Sequence, residues 1–483
     1  MKKKMKQWST RKRIVIGSLC AFMLLYIGVI LWHTYKPLPA GVSYAGEIHR
    51  TDDVQLFTDL TFAEDRKGTG MKSELEIFDE VYTMIDEAEE FVVLDFFLFD
   101  PYSDENIDFP DIVQSLTAHL LLKKQQHPDM PIIFITDPYN TGYGSYTNEW
   151  LEEMEDAGIQ VVYTDLDRLR DSTPIYSGFY RIFFQWTDFE QDGWLPNAMA
   201  SQMDDMKLSS YLKLFNIKAN HRKVVITEKA GLISSANPHN ASGLHGNAAL
   251  KVTGPILNDM LEAEEAVMKF SGGGDLPRVD VPEADGEYQI QYLTESKILN
   301  SLLSDLESTE KGDTIWMGMF YLAKRDILSA LVEAAERGVE VKLILDPNAN
   351  AFGNEKTGLP NRPVVNELLE DSENRIQVRW YNTVAGQYHT KLVYIKSEEQ
   401  SVIYNGATNL TERSLDDYNL ESELKVIAPN SSDLDVELEG YFKRLWTNDG
   451  AMYTLDTEVY QDEMSFIQRG IYGMQVLLKL TTF

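Results

Sequence analysis

Asn220-His221-Arg222-Lys223-Val224-Val225-Ile226 and Tyr388-His389-Thr390-Lys391-Leu392-Val393-Tyr394 are the two stretches on which the fold turns. Each sets a histidine and a lysine two residues apart at the head of an apolar run. Alternate residues of an extended strand share a face, so His221 projects with Lys223 and His389 with Lys391, while the residues beyond continue into a core. Each run leads to an asparagine, in Ser234-Ser235-Ala236-Asn237 and in Gly406-Ala407-Thr408-Asn409. A lone His-x-Lys is usually a surface pair; two in equivalent settings point to an internal repeat.

Working outward, the same elements recur in the same order. Helix-period stretches near Ser73 to Ala88 and Ile298 to Leu306 lead into strand-like runs at 91–97 and 314–320. A longer helical segment follows, then a strand ending in Asp-Pro (131–138 and 339–347) and another beginning at Ile159 or Ile376. Beyond the asparagines, Asn247 lies ten residues after Asn237 and Asn419 ten after Asn409, which reads as one continued register. Gly and Pro between Ser271 and Pro282 interrupt both periodicities and mark the join. The expected division is a cytoplasmic basic tail at 1–13, a transmembrane anchor at 14–35, a first domain at 36–270 and a second at 271–483.

The copies differ by an insertion. From Ile159 to His221 is 62 residues, but from Ile376 to His389 only 13. The surplus, residues 168–217, holds Tyr176, Phe179, Tyr180, Phe183, Phe184, Trp186, Phe189 and Trp194. Aromatics at that density suit a membrane interface or an acyl-chain slot, and also the ordinary packing of a cap.

Seven cations (Lys2, Lys3, Lys4, Lys6, Arg11, Lys12 and Arg13) precede the 19-residue uncharged run Ile14 to Trp32, and no acidic residue appears before Glu47. A run of that length can cross a bilayer, and the basic flank places the N-terminus in the cytoplasm and the body outside it, a single-pass protein of the cell membrane. A cleavable signal peptide, with Ser43-Tyr44-Ala45 as its small-x-small site, is the competing reading; its apolar core would span only about 7–15 residues. The one cysteine, Cys20, lies inside the run, so the body forms no internal disulfide. Net charge is −32, and without the tail cations 37 basic residues face 76 acidic ones, a net −39. Such a surface repels polyanions and argues against a nucleic-acid partner.

With the repeat in view, the chain resembles the phospholipase D superfamily, whose signature pairs two His-Lys-Asp motifs, and is similar to its bacterial membrane-anchored, cardiolipin-synthase-like members. The resemblance implies two duplicated α/β/α domains with mixed sheets, related by a pseudo-two-fold axis that brings both histidines to one cleft. It implies phosphodiester hydrolysis or transphosphatidylation of glycerophospholipids through a phosphohistidine, without metal or cofactor. His221 would be the nucleophile and His389 the acid and base; Lys223, Lys391, Asn237 and Asn409 would hold the phosphoryl oxygens, assisted by the Ser235 hydroxyl.

The pattern is imperfect. The closing acid of the signature is Glu228 in the first copy and Lys396 in the second, and Ala407 lacks the hydroxyl present at Ser235. Glu421, two residues after Asn419, matches the carboxylate that fixes a catalytic histidine in the family; it is expected to serve His389. Its counterpart by spacing is Ala249, so His221 is expected to be oriented by another group, with His239, His245, Asp95 and Asp137 as candidates. Asp204-Asp205, Asp416-Asp417 and Glu152-Glu153 lack metal-ligand spacing and read as solvated loops or faces. The competing functions are a nuclease of the same superfamily and a catalytically silent, membrane-anchored binding protein.

Overall fold

The computed structural model describes residues 10–103, 107–187, 192–197, 203–282, 285–351, 354–355, 358–460 and 473. Lys2 to Lys6 of the basic tail, Phe189 of the insertion and most of the apolar stretch 471–480, expected to pack, lie outside them.

Seven strands form the main part of each half. In the first they are β1 (Val54–Phe62), β2 (Val92–Phe96), β3 (Ile132–Thr136), β4 (Gln160–Tyr163), β5 (Lys223–Thr227), β6 (Gly231–Ser234) and β7 (Asn247–Val252). In the second they are β8 (Tyr288–Thr294), β9 (Thr314–Met319), β10 (Glu340–Leu345), β11 (Gln377–Tyr381), β12 (Lys391–Lys396), β13 (Gln400–Gly406) and β14 (Ser422–Pro429). Their spatial orders are 1-7-6-5-2-3-4 and 8-14-13-12-9-10-11, one permutation used twice. In both sheets β2-β3-β4 and β9-β10-β11 are parallel and the remaining pairs antiparallel. The parallel strands β2 and β3 are buried along their whole length, as strands covered on both faces are. The chain is thus a duplicated mixed α/β fold.

The edges show where local reading misses. Ser73 and Glu74, expected within the first helix, belong to a short strand, Lys72–Glu74, that pairs with the end of β1, and the helix begins at Ile77. His49–Thr51 pairs not with the first sheet but with β8 of the second. One core runs between the halves, joining Val224, Ile233 and Leu250 to Tyr388, Leu420 and Leu424, all buried.

The join between halves is reciprocal. Leu420 brackets Asn220 with its backbone: His221 N–H donates to Leu420 O at 2.8 Å, and Leu420 N–H to Ala219 O at 2.9 Å. At the equivalent place in the other half, Gly246 N–H donates to Gln387 O at 2.8 Å. Each His-x-Lys strand therefore starts beside the chain that enters the last main strand of the opposite sheet. These contacts place the site.

An α-helix, Thr10–Tyr35, is long and apolar enough to cross a membrane. Within the insertion a second helix, Pro174–Phe183, packs along it. Gly178 allows the close approach, since a Cβ there would lie 2.6 Å from Ile30 Cγ1. Tyr26 donates its hydroxyl to Ile175 O at 2.5 Å, and the Phe22 and Phe183 rings lie 6.2 Å apart.

Candidate active site

His221 and Lys223 head β5; His389 and Lys391 head β12. The loop before each strand is held by the carboxylate that ends the Asp-Pro strand two places along the sheet: Asn220 N–H donates to Asp137 Oδ2 and Tyr388 N–H to Asp346 Oδ2, both at 2.7 Å. Burial pushes both carboxyls up to about 7, against these hydrogen bonds. Asp95 binds the Asn220 amide at 2.8 and 2.9 Å. At the matching position of β9 stands Gly318, and the space is taken by the Tyr388 ring. Asp95 and Asp137 thus hold the segment before His221, not its ring.

The histidines are oriented across the interface, which corrects the expected partnership. His221 Nδ1 lies 2.9 Å from Glu421 Oε2, whereas His389 Nδ1 lies 3.2 Å from Asn247 Oδ1. Strand pairing explains the exchange. Ser235 N–H donates to Ala248 O and Ala407 N–H to Ser422 O, so the residues just before, Asn247 and Glu421, are equivalent. Asn237 to Asn247 is ten residues but Asn409 to Glu421 is twelve, so the apparent common spacing to Asn419 is off register by two. Asn419 instead donates to Glu421 Oε1 at 3.4 Å and accepts from Ala219 N–H at 3.1 Å.

The lysines are buried with the rings. Lys223 Nζ donates to His221 O at 2.7 Å and Lys391 Nζ to His389 O at 2.9 Å. Each histidine feels the lysine of the opposite half as well as its own. Burial, then those ammonium groups, holds both imidazoles well below their usual range, opposed at His221 by a hydrogen bond to the Ala407 backbone. Burial also brings Lys223 down to about 7, against Glu421, Asp95 and Asp137, and lowers Lys391 strongly. Glu421 and Glu423 are both pushed up to about 8 by burial, with Lys223 opposing at Glu421. The two buried lysines, each facing carboxyls that burial itself pushes up, form a site that an anion would stabilise.

Asn237 accepts from Leu98 N–H at 3.3 Å through Oδ1, which leaves its amide donors for a ligand. Asn409 Oδ1 is buried without a partner among the described residues. Ser235 is fully buried, and its hydroxyl donates to Asn247 Oδ1 at 3.0 Å, so its contact is with the amide behind His389. His239 binds Ser242 Oγ at 2.6 Å, and the His245 ring lies 5.8 Å from that of His389, so neither serves His221. Glu228 accepts the N–H groups of Glu89 and Glu90, and Lys396 pairs with Asp435 and Glu439; both are structural. Asp416 and Asp417, read as solvated, instead pair with Lys324 and Arg170.

The symmetric pair Phe97 and Phe320 went unread in the sequence. Their rings lie 5.2 and 5.1 Å from His221 and His389, and the Lys223 and Lys391 ammonium groups sit 5.4 and 5.8 Å from the same rings. Each follows its strand by one residue, and that shared position was the available signal. Among the described residues no group of three or more His, Cys, Asp or Glu is placed to hold a metal ion.

Residues 302–446, which carry His389, Lys391, Asn409 and Glu421, match the family model "Cardiolipin synthase, PLD-like domain". The fold as a whole is similar to the crystal structure of phosphatidylserine synthase from Haemophilus influenzae Rd KW20, at TM-score 0.59 and 12% identity over 95% of this chain and 97% of that one. A phospholipase D-like domain of this family therefore occupies residues 302–446. More distant likenesses are polyphosphate kinase from Porphyromonas gingivalis (TM-score 0.45, 11% identity, 88% of this chain and 56% of that one) and Nuc from Salmonella typhimurium, a phospholipase D family member (TM-score 0.28, 21% identity, 35% of this chain and 98% of that one). No curated protein matches the sequence. The family match lies within the second half only, and the first half repeats its strand permutation.

Proposed function

We propose that this chain is a membrane-anchored phospholipase D or phosphatidyltransferase that cleaves glycerophospholipids outside the cytoplasm through a phosphohistidine on His221. The observation that carries the reading is the crossed pairing: His221 with Glu421 and His389 with Asn247, over Lys223 and Lys391. His221 Nε2 attacks phosphorus as the bond to the leaving alcohol breaks, and His389, entering as the imidazolium, gives that oxygen its Nε2 proton and is left as the neutral Nδ1–H ring. The acceptor, water or a lipid alcohol, then returns a proton to His389 as its oxygen bonds phosphorus and the P–N bond breaks. With Glu421 ionised, His221 Nδ1–H donates to it, and the carboxylate offsets the charge of the phosphorylated ring. Lys223, Lys391, Asn237 and Asn409 stabilise the phosphoryl oxygens in a site where each donor counts for more than in water.

Lipid as substrate rests on the anchor and the insertion. Helix Pro174–Phe183 lies against the apolar helix with Ile175, Phe179 and Phe183 exposed beside it and Trp186 exposed just beyond. Asp171 accepts from Lys218 Nζ at 2.7 Å, three residues before His221, which joins the insertion to the catalytic strand. The seven-cation tail sets the orientation.

The test is the full-length protein in detergent given labelled phosphatidylglycerol, phosphatidylcholine and single-stranded DNA, with His221→Ala alongside. Lipid cleavage lost in the variant supports the reading. Cleavage of DNA alone points to a nuclease, and no turnover of any substrate points to a binding protein.

A further inference from the structure

We infer that Asn247 is the positioning residue of His389, holding it as the Nδ1–H tautomer with no counter-charge, so that the two histidines are built for different tasks. The catalytic meaning rests on the phosphohistidine reading; the placement rests on geometry. Asn247 is buried, and three contacts fix its amide: Nδ2 donates to His245 O at 3.3 Å, and Oδ1 accepts from Ser235 Oγ at 3.0 Å and faces His389 Nδ1 at 3.2 Å. Lys391 Nζ lies 3.1 Å from Nδ1 and 3.0 Å from Nε2 of the same ring; with Asn247 Oδ1 facing Nδ1, the arrangement that satisfies both partners puts the proton on Nδ1 and leaves the Nε2 lone pair of the neutral ring to the ammonium.

The equivalent position in the other half is a carboxylate. Glu421 is fixed by Asn419 on Oε1 and by its own N–H, which donates to Glu295 Oε1 at 3.0 Å. A buried carboxylate compensates a cationic ring; a buried amide contributes only a dipole. The ionisable groups bearing on His389 are Lys391 two residues on, His245 on the loop before β7, Lys223 at the start of β5 and His221 just before it. All four oppose a positive ring. The nearby acids Glu421 and Glu423 act on Lys391, and Asp346 holds the Tyr388 backbone. The Glu421 half suits a ring that stays cationic while it carries phosphorus, and the Asn247 half suits one that gives up a proton quickly to a leaving alkoxide.

The experiment follows the Cε1–H signals of the eight histidines in full-length protein in detergent, with His389 assigned by its loss in His389→Gln. Asn247→Asp should raise the His389 midpoint by about one to three pH units, leave His221 in place, and move the alkaline limb of bis(4-nitrophenyl) phosphate hydrolysis upward in parallel. An unmoved His389 midpoint, or an equal shift at His221, overturns the proposal. Glu421→Gln provides the reciprocal test if the first variant does not fold: the His221 midpoint should fall with His389 unchanged, and the opposite pattern overturns the assignment. Titrations as expected without turnover of any phosphodiester would uphold the placement of Asn247 while removing the enzymatic reading.

Discussion

Arg222, between His221 and Lys223 in sequence, points away from the candidate site into a wholly buried triad, and its replacement by methionine should be costly. Its Nη1 donates to Ala263 O at 3.1 Å and Glu264 Oε1 at 3.3 Å, and its Nη2 to Glu295 Oε1 at 3.0 Å and Oε2 at 3.3 Å. All three side chains are 0% exposed, so Arg222→Met leaves two carboxylates with neither water nor cation. Breaking a buried pair from one side costs about 3–5 kcal/mol. At about 2–4 °C per kcal/mol for a domain of this size, the melting temperature should fall by roughly 10 °C. The loss also has a pH signature. Burial already pushes Glu295 up to about 7 despite Arg222, above its unfolded value. The folded state therefore binds the extra proton, and stability from this group falls as pH rises between the unfolded and folded values. Without Arg222 the folded value rises further, so the variant should lose more at pH 8 than at pH 5. Glu264→Gln and Glu295→Gln added to Arg222→Met should recover most of the loss. A melting temperature within about 2 °C of the parent, equal losses at both pH values, or a triple variant no better than the single one would refute the reasoning.

Other expectations follow from the same contacts. Lys223, lowered to about 7 by burial, regains its charge beside an anion; affinity for dimethyl phosphate, measured by calorimetry, should be level below that pH and weaken above it, and a pH-independent affinity would contradict this. Lys391→Met should lower kcat by about 100- to 1,000-fold on both lipid and bis(4-nitrophenyl) phosphate, as for loss of one transition-state donor; an effect confined to KM would remove it from that role. Gly178→Leu should wedge the insertion from the apolar helix, lowering cleavage of vesicle lipid about tenfold, ~1.4 kcal/mol, while hydrolysis of bis(4-nitrophenyl) phosphate continues; equal losses on both substrates would exclude a membrane role for that contact.

Much of the fold was legible because strand and helix periodicity are local. The strands at 92–96, 132–136, 314–319 and 340–345 fall within two residues of their expected places, and the repeat of His-x-Lys with a following asparagine identified the duplication. What escaped was set by contacts between halves. Spacing alone cannot say that Glu421 serves His221, because the choice comes from the backbone bonds between the halves at Leu420 and Gly246. Nor can it show that Asn409 to Glu421 carries two extra residues, since the neighbouring Asn419 mimics the spacing of the first copy. The edge strand His49–Thr51 was missed for the same reason: its partner β8 lies some 240 residues away.

The central claim is one phosphoryl-transfer site shared by both halves, with His221 taking the phosphorus. It is tested most directly by incubating the parent, His221→Ala and His389→Ala with phosphatidylglycerol labelled at phosphorus, then quenching in base. The account predicts alkali-stable, acid-labile label on the parent and on His389→Ala, more on the latter if its second step is the slower, and none on His221→Ala. Label on His221→Ala and none on His389→Ala would contradict it.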